Sequence, residues 1–272
     1  MVRHFWLFLT VVLACGLMSC AADVTISKTG DNQQVKATRY EATVAADGCM
    51  TNLRIGGVDI LKSGISISRG AYFYQDGTLK LSTIEQPTPT SLSAKSDKAA
   101  ISYAFAEDAI TCTLTNATDK PMSFYLVFDT AVSTIANQQG TIVRTPINVN
   151  LPTSTWFVAK KTKLTITGGS RVWGPWSGVY PVWEATLAPN ETRKAVLTIS
   201  DPNAGEQAQL AKIAAFPISV KKGNYEAMLD NDGCMTNLRI GGVEFLKAAL
   251  SDLAESDVGV GCSIVESLSV PS

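Results

Sequence analysis

The chain is 272 residues long, with 23 Lys+Arg, 24 Asp+Glu and one histidine. A composition 46% hydrophobic and only 17% charged belongs to a folded chain rather than a disordered one. A formal charge of −1 lacks the basic footprint that a nucleic-acid partner needs.

The only histidine is His4. Removal of the N-terminus leaves no imidazole, which excludes Ser-His-Asp triads, Cys-His pairs and His-bound zinc. Residues 1–22 read as such a removable export signal. Arg3 and His4 precede an uncharged run from Phe5 to Met18, followed by small Ser19, Ala21 and Ala22. The run is shorter than the roughly 20 residues of a usual membrane-spanning helix. Leu17-Met18-Ser19-Cys20 resembles a bacterial lipobox, in which Cys20 would carry the lipid; ordinary cleavage near Ala21 or Ala22 is the alternative. The expected location is the bacterial cell envelope, or the periplasm or exterior, with membrane contact only through a lipid anchor.

Export leaves Cys49, Cys112, Cys234 and Cys262 besides Cys20. An oxidising compartment permits disulfides, but the sequence does not choose a pairing, and buried free thiols are the plainer reading. No Cys-x-x-Cys spacing exists, so neither a metal nor another cofactor is expected.

The next element announces a repeat. Tyr40 to Lys62 reads YEATVAADGCMTNLRIGGVDILK, and Tyr225 to Lys247 reads YEAMLDNDGCMTNLRIGGVEFLK, with 17 of 23 positions identical at an offset of 185 residues. The offset is domain-sized, far longer than a solenoid period. Asp47-Gly48 and Gly56-Gly57 are hairpin-turn signals, so each copy is predicted to be a three-stranded meander. With two-residue loops, Tyr40 faces Ile55, Ala42 faces Leu53 and Val44 faces Thr51. Glu41 then sits opposite Arg54, which also faces Asp59. These charges read as cross-strand pairs on a solvated face rather than a catalytic cluster.

Strand-like segments continue at 65–68, Ala71–Tyr74 and 78–81. A Pro-rich loop is expected at 86–90 and alternating strands at Ala99–Phe105 and Ala109–Asn116. A polar loop at 116–121 precedes strands at Met122–Val127, 141–143, 163–167, 183–187 and 195–199. Many short strands separated by Gly, Pro and Asn turns imply an all-β fold, an antiparallel β-sandwich over 23–200. Residues 201–216 are expected to form one helical linker, capped by Asp201 with Pro202 at its first position. Phe216 to Val220 would then open a second unit, as Val24 to Ser27 opens the first. Residues 217–272 read as a truncated second copy of the β-sandwich start, packed on the first domain or the stub of a longer multi-domain chain. Weak helix is expected at 248–255.

The strand–Asp-Gly–Leu-x-Ile–Gly-Gly–Val-x-x-Leu pattern resembles the opening of galactose mutarotase-like β-sandwich domains. Trp183-Glu-Ala-Thr-Leu-Ala-Pro-Asn-Glu-Thr is similar to their last hairpin. The resemblance implies a sandwich over about residues 24–200. The family's epimerases use histidine with an acidic residue, and the mature chain has no histidine. No catalytic residue is therefore carried over, and a non-catalytic role in glycan handling is the implied function.

Four of the five tryptophans fall between Trp156 and Trp183. Aromatic rings stack on the C–H faces of sugars, and Arg and Glu bind hydroxyls. Arg171, Trp173, Trp176, Tyr180 and Glu184 are the candidate ligand-binding residues, with Gly174-Pro175 as a bend that exposes the two rings. The opposing reading places these rings in the core, where Trp183 is expected. The sequence thus supports a binding or scaffolding module for polysaccharide or cell-envelope glycan. A histidine-independent, lyase-like enzyme working through Tyr, Arg or carboxylates and a structural remnant without ligand remain open beside it.

Overall fold

The computed structural model describes residues 24–64, 68–132, 134–137, 139–144, 148–176, 180–214, 218–229 and 235–247. The export signal with Cys20, the thiols Cys234 and Cys262, and the expected helix at 248–255 lie outside the described residues.

The chain begins with β1 (Thr25–Thr29), β2 (Asn32–Lys36), β3 (Tyr40–Val44), β4 (Met50–Ile55), β5 (Val58–Asp59) and β6 (Ala71–Tyr74). It continues through β7 (Thr83–Thr88), β8 (Ser91–Lys95), β9 (Ala99–Phe105), β10 (Ala109–Asn116) and β11 (Met122–Val127). Then come β12 (Thr134–Ala136), β13 (Ile142–Arg144), β14 (Thr153–Val158), β15 (Thr162–Thr167), β16 (Arg171–Trp176), β17 (Tyr180–Leu187) and β18 (Thr192–Ser200). The helix α1 (Ala204–Ala214) leads to β19 (Ile218–Lys222), β20 (Tyr225–Leu229), β21 (Met235–Ile240) and β22 (Val243–Lys247).

Two nine-stranded antiparallel sheets form the sandwich. The first has the order β1-β2-β3-β4-β6-β11-β17-β16, with β5 paired to β4. The second runs β13-β12-β14-β15-β18-β10-β9-β8-β7. Period-2 alternation builds both, and β10 shows why. Its Ile110, Cys112 and Leu114 point inward while the threonines between them are half-exposed. Leu53, Phe73, Phe124 and Trp183 of the first sheet meet Ile101, Tyr103, Leu164 and Leu197 of the second in one core. Each such side chain contributes about 1.5–3 kcal/mol by leaving water.

Two buried phenols fasten the layers. Tyr40 Oη donates to the Ala106 carbonyl at 2.8 Å, and Tyr103 Oη donates to the Gly48 carbonyl at 2.9 Å. Burying a hydroxyl beside a carbonyl across the gap satisfies both groups and fixes the relation of the sheets. Trp156 is also fully buried, its ring 4.7 Å from that of Phe128.

The meander follows the expected register with one change. Tyr40 pairs with Ile55, Glu41 with Arg54 and Arg54 with Asp59. At the Asp47-Gly48 turn, however, Ala45 N–H bonds the Cys49 carbonyl at 2.9 Å, so the loop holds three residues rather than two. Gly48 takes φ +76, and a bulge between Thr43 and Val44 moves Val44 from Thr51 to Met50. A residue in the left-handed region followed by a bulge is the usual companion of a three-residue hairpin loop. Of the expected charge pairs, Arg54 and Asp59 approach to 4.0 Å.

Other segments depart from expectation. Thr78 forms an isolated bridge to Tyr74, and 78–81 belongs to no strand. Pro87 falls inside β7 rather than in a loop. This strand is the sheet's edge and shifts register between Glu85 and Thr88, which is where a residue without an N–H is tolerated. The helix is capped by Asn203, not Asp201: Glu206 N–H donates to Asn203 Oδ1 at 2.9 Å, and Asn203 N–H to Glu206 Oε2 at 2.7 Å. This reciprocal capping box satisfies two otherwise orphaned donors. Asp201 instead holds Arg39 through two bonds of 3.1 Å. Leu210 of α1 packs on Ile142 and Phe157, closing that end of the second sheet.

The strands β19 to β22 form a separate four-stranded sheet in sequence order. Here β19 is the counterpart of β2, not of the segment at Val24: Ile218 pairs with Leu229 as Gln33 pairs with Val44, at the same 185-residue offset. The repeat in structure is therefore one strand longer than the repeated sequence block. Arg239 sits between Glu226 and Glu244 as expected, although Glu226 makes its ion pair with Lys221.

Candidate binding face

Alternation in the first sheet gives it a second, outer face. In β6, Ala71 and Phe73 enter the core, so Tyr72 and Tyr74 point outward. In β11, Met122, Phe124 and Leu126 are core, and Ser123, Tyr125 and Val127 are outer. In β17, Trp183 and Ala185 are core, while Val182 and Glu184 face out. Across β16, Val172 is core, and Arg171 and Trp173 lie outside.

Register then aligns four side chains in one row. Tyr72 is opposite Tyr125, Tyr125 opposite Glu184, and Glu184 opposite Arg171. The Tyr125 ring has the Tyr72, Tyr74 and Trp173 rings 5.8, 5.9 and 6.1 Å away. The Arg171 guanidinium lies 5.5 Å from the Trp173 ring centre, within cation–π reach. Tyr74, Tyr125 and Trp173 are partly exposed, and Tyr125 meets the Trp173 ring edge-on at 79° and the Tyr74 ring at 43°, so the face is an aromatic cluster with wet edges.

Glu184 is the anchor beneath it. The carboxylate is buried and accepts four bonds: from Arg171 Nε at 2.7 Å, Trp173 Nε1 at 2.8 Å, Ser123 Oγ at 2.9 Å and Thr186 Oγ1 at 3.0 Å. Those donors occupy its acceptor sites and fix both the indole and the guanidinium. A second arginine, Arg69, is held by Asp47 beside the buried Cys49, which packs with Tyr72. Burial pushes the Cys49 thiol up to about 12, with Asp47 adding to it. Burial likewise raises the Tyr72 phenol to about 12 and raises that of Tyr125.

Toward the meander, Lys62 Nζ lies 5.2 Å from the Tyr180 ring centre and 3.3 Å from Asp129. The hydrogen bond and charge of Asp129 raise the Lys62 pKa. A groove of about 310 Å³ opens there, lined by Thr51, Asn52, Asp59, Lys62, Ser63 and Asp129. Among the described residues no three His, Cys, Asp or Glu side chains converge as a metal site requires.

Of the five candidates read from the sequence, Arg171, Trp173 and Glu184 touch one another through the β16–β17 pairing. Tyr180 joins the same outer cluster farther along β17. Trp176 pairs with Tyr180 through its backbone, and its side chain lies outside the described residues. The bend expected at Gly174-Pro175 is a register shift between Trp173 and Trp176 within β16. Tyr72, Tyr74 and Tyr125 were not among the candidates. Their signal is that β6 and β11 carry large aromatics on both alternating faces, which a sheet solvated on one side does not require.

No family model matches the chain. No curated protein matches it either. Among solved structures, a putative aldose 1-epimerase from Escherichia coli K12 aligns at 9% identity over 66% of this chain and 99% of its own, with a TM-score of 0.33. A putative mutarotase from Salmonella typhimurium aligns at 9% identity over 66% of this chain and 94% of its own, with a TM-score of 0.41. YidC from Thermotoga maritima aligns at 9% identity over 71% of this chain and 58% of its own, also with a TM-score of 0.41. Scores and identities this low assign the chain to no family and give it no activity.

Proposed function

We propose that this protein is an exported glycan-binding or scaffolding module of the cell envelope, with the outer face of its first sheet as the binding surface. The observation that carries this reading is the contiguous, partly exposed aromatic cluster of Tyr74, Tyr125 and Trp173, braced by the Glu184 network. Rings on a sheet face are preorganised, so stacking on a sugar's C–H face costs little side-chain entropy. The mutarotase-like opening and closing motifs of the sequence agree with a glycan-handling sandwich.

The enzymatic alternative needs a base near neutrality. Burial moves the Tyr72 and Tyr125 phenols up, away from that range, and Glu184 is saturated with donors. Binding is the reading that these features favour.

A glycan array probed with the wild-type protein and with Trp173→Ala and Tyr125→Ala tests the reading. Binding to a defined glycan set by wild type, weakened at least tenfold in either variant, is expected. Absence of binding by folded wild type would sink it.

A further inference from the structure

Resting on the glycan-binding reading, we propose that the ligand of this face is an acidic glycan, one bearing carboxylate or sulfate groups. Two ion pairs of the sheet, Arg171–Glu184 and Arg69–Asp47, are polarised in depth. The Glu184 side chain is 5% exposed and its partner Arg171 44%. Asp47 is 15% exposed and its partner Arg69 43%. Each pair is formally neutral, yet a ligand lying on Trp173 meets the Arg171 guanidinium while the Glu184 carboxylate sits below it.

Arg171 is built for this contact. Only its Nε is engaged by Glu184, and its terminal NH2 groups bond no acceptor among the described residues. The guanidinium is also oriented by the Trp173 ring beside it. A fixed planar fork with its outer edge free matches a carboxylate or sulfate through paired N–H···O bonds. A uronic acid ring offers both parts at once, a C–H face for the rings and an anion at its edge. The carboxylates that do reach solvent nearby, Asp59 and Asp129, lie in the groove and are paired with Arg54 and Lys62.

The test is isothermal titration of the full chain with oligogalacturonate and its neutral methyl ester, and with sulfated carrageenan oligosaccharides and their desulfated, neutral galactan counterparts. An anionic member binding about tenfold or more tighter than its neutral counterpart is expected, with the preference shrinking as salt rises. Arg171→Gln is expected to weaken the anionic ligands about tenfold more than their neutral counterparts, so that the preference is lost. The wild-type comparison needs no variant, so a misfolded mutant leaves the test intact. Equal or tighter binding of the neutral members overturns the acidic assignment and leaves the glycan-binding reading standing. Binding of none of these ligands and of no glycan on the array overturns both.

Discussion

Ile60 and Phe245 hold the same position in the two copies of the repeated meander, yet Ile60 is 0% exposed and Phe245 is 64% exposed. Local sequence does not separate them: both follow a Gly-Gly turn, Val and an acidic residue. Ile60 lies in the core shared by the two large sheets, whereas β22 belongs to the four-stranded sheet alone. Ile240 and Val243, on the same face as Phe245, are exposed as well.

This difference sets an unequal mutational cost. Ile60→Ala is expected to destabilise the protein by about 2–5 kcal/mol, because it opens a cavity in a packed core. Phe245→Ala is expected to change stability by no more than about 0.5 kcal/mol. Urea unfolding of the two variants measures both, and a cost at Phe245 approaching that at Ile60 would contradict the assignment of the two environments.

Glu184 orders the outer face. Glu184→Gln keeps the size of the side chain but removes the charge that Arg171, Trp173, Ser123 and Thr186 converge on. A loss of about 1–3 kcal/mol is expected, limited by the partial exposure of Arg171. The near-UV circular dichroism signal of the indoles should change with it, since Trp173 loses its fixed acceptor. An unaltered spectrum together with unaltered stability would refute the anchoring role.

The buried thiols give a signed dependence on pH. Burial holds Cys112 up at about 12, against an ordinary value of 9.0, and Cys49 likewise. The unfolded chain then releases these protons first as pH rises. Their contribution to stability is full below about pH 9 and declines as pH climbs toward 12. Cys112→Ala should flatten this alkaline decline. Both thiols should resist a thiol reagent at pH 8 until denaturant is added; rapid labelling of native protein would show that they are accessible.

Asn116 sits in a glycosylation sequon but is fully buried. Its amide donates to the Lys120 and Ala188 carbonyls at 2.8 and 2.9 Å, and its Oδ1 accepts from Thr118 N–H and Oγ1 at 3.0 and 2.8 Å. Asn116→Ala is expected to cost about 1–3 kcal/mol by stranding these groups. Asn116→Asp should cost more at neutral pH, because it turns a carboxylate oxygen toward two carbonyls. A ranking with Asp the milder change would disprove the hydrogen-bond assignment.

Much of the scaffold was legible in the chain. Alternation in β9, β10 and β11 fixes which residues face inward, and turn chemistry at Gly56-Gly57 sets Arg54 against Asp59, because strand period and turn geometry are local properties. The three-residue loop at Asp47-Gly48 was not legible, since Asp-Gly also suits a two-residue turn. The binding face was half legible. Arg171, Trp173 and Glu184 are near neighbours in sequence, within one hairpin. Tyr72 and Tyr125 come from strands joined to that hairpin only through sheet order, and no local pattern encodes which strand lies beside which.

The sequence by itself determined many of the strands, their inward faces and the existence of a repeat, but it misplaced 78–81, the loop at 86–90 and the helix cap. It succeeded where side-chain alternation and turn preferences, which act over a few residues, were decisive. Only the tertiary structure decided that one copy of the meander is roofed by a second sheet, while among the described residues the other pairs only within its own four-stranded sheet. It likewise decided that Glu184 supports an aromatic row drawn from β6, β11, β17 and β16, because burial and sheet order are set by contacts between segments far apart in the chain.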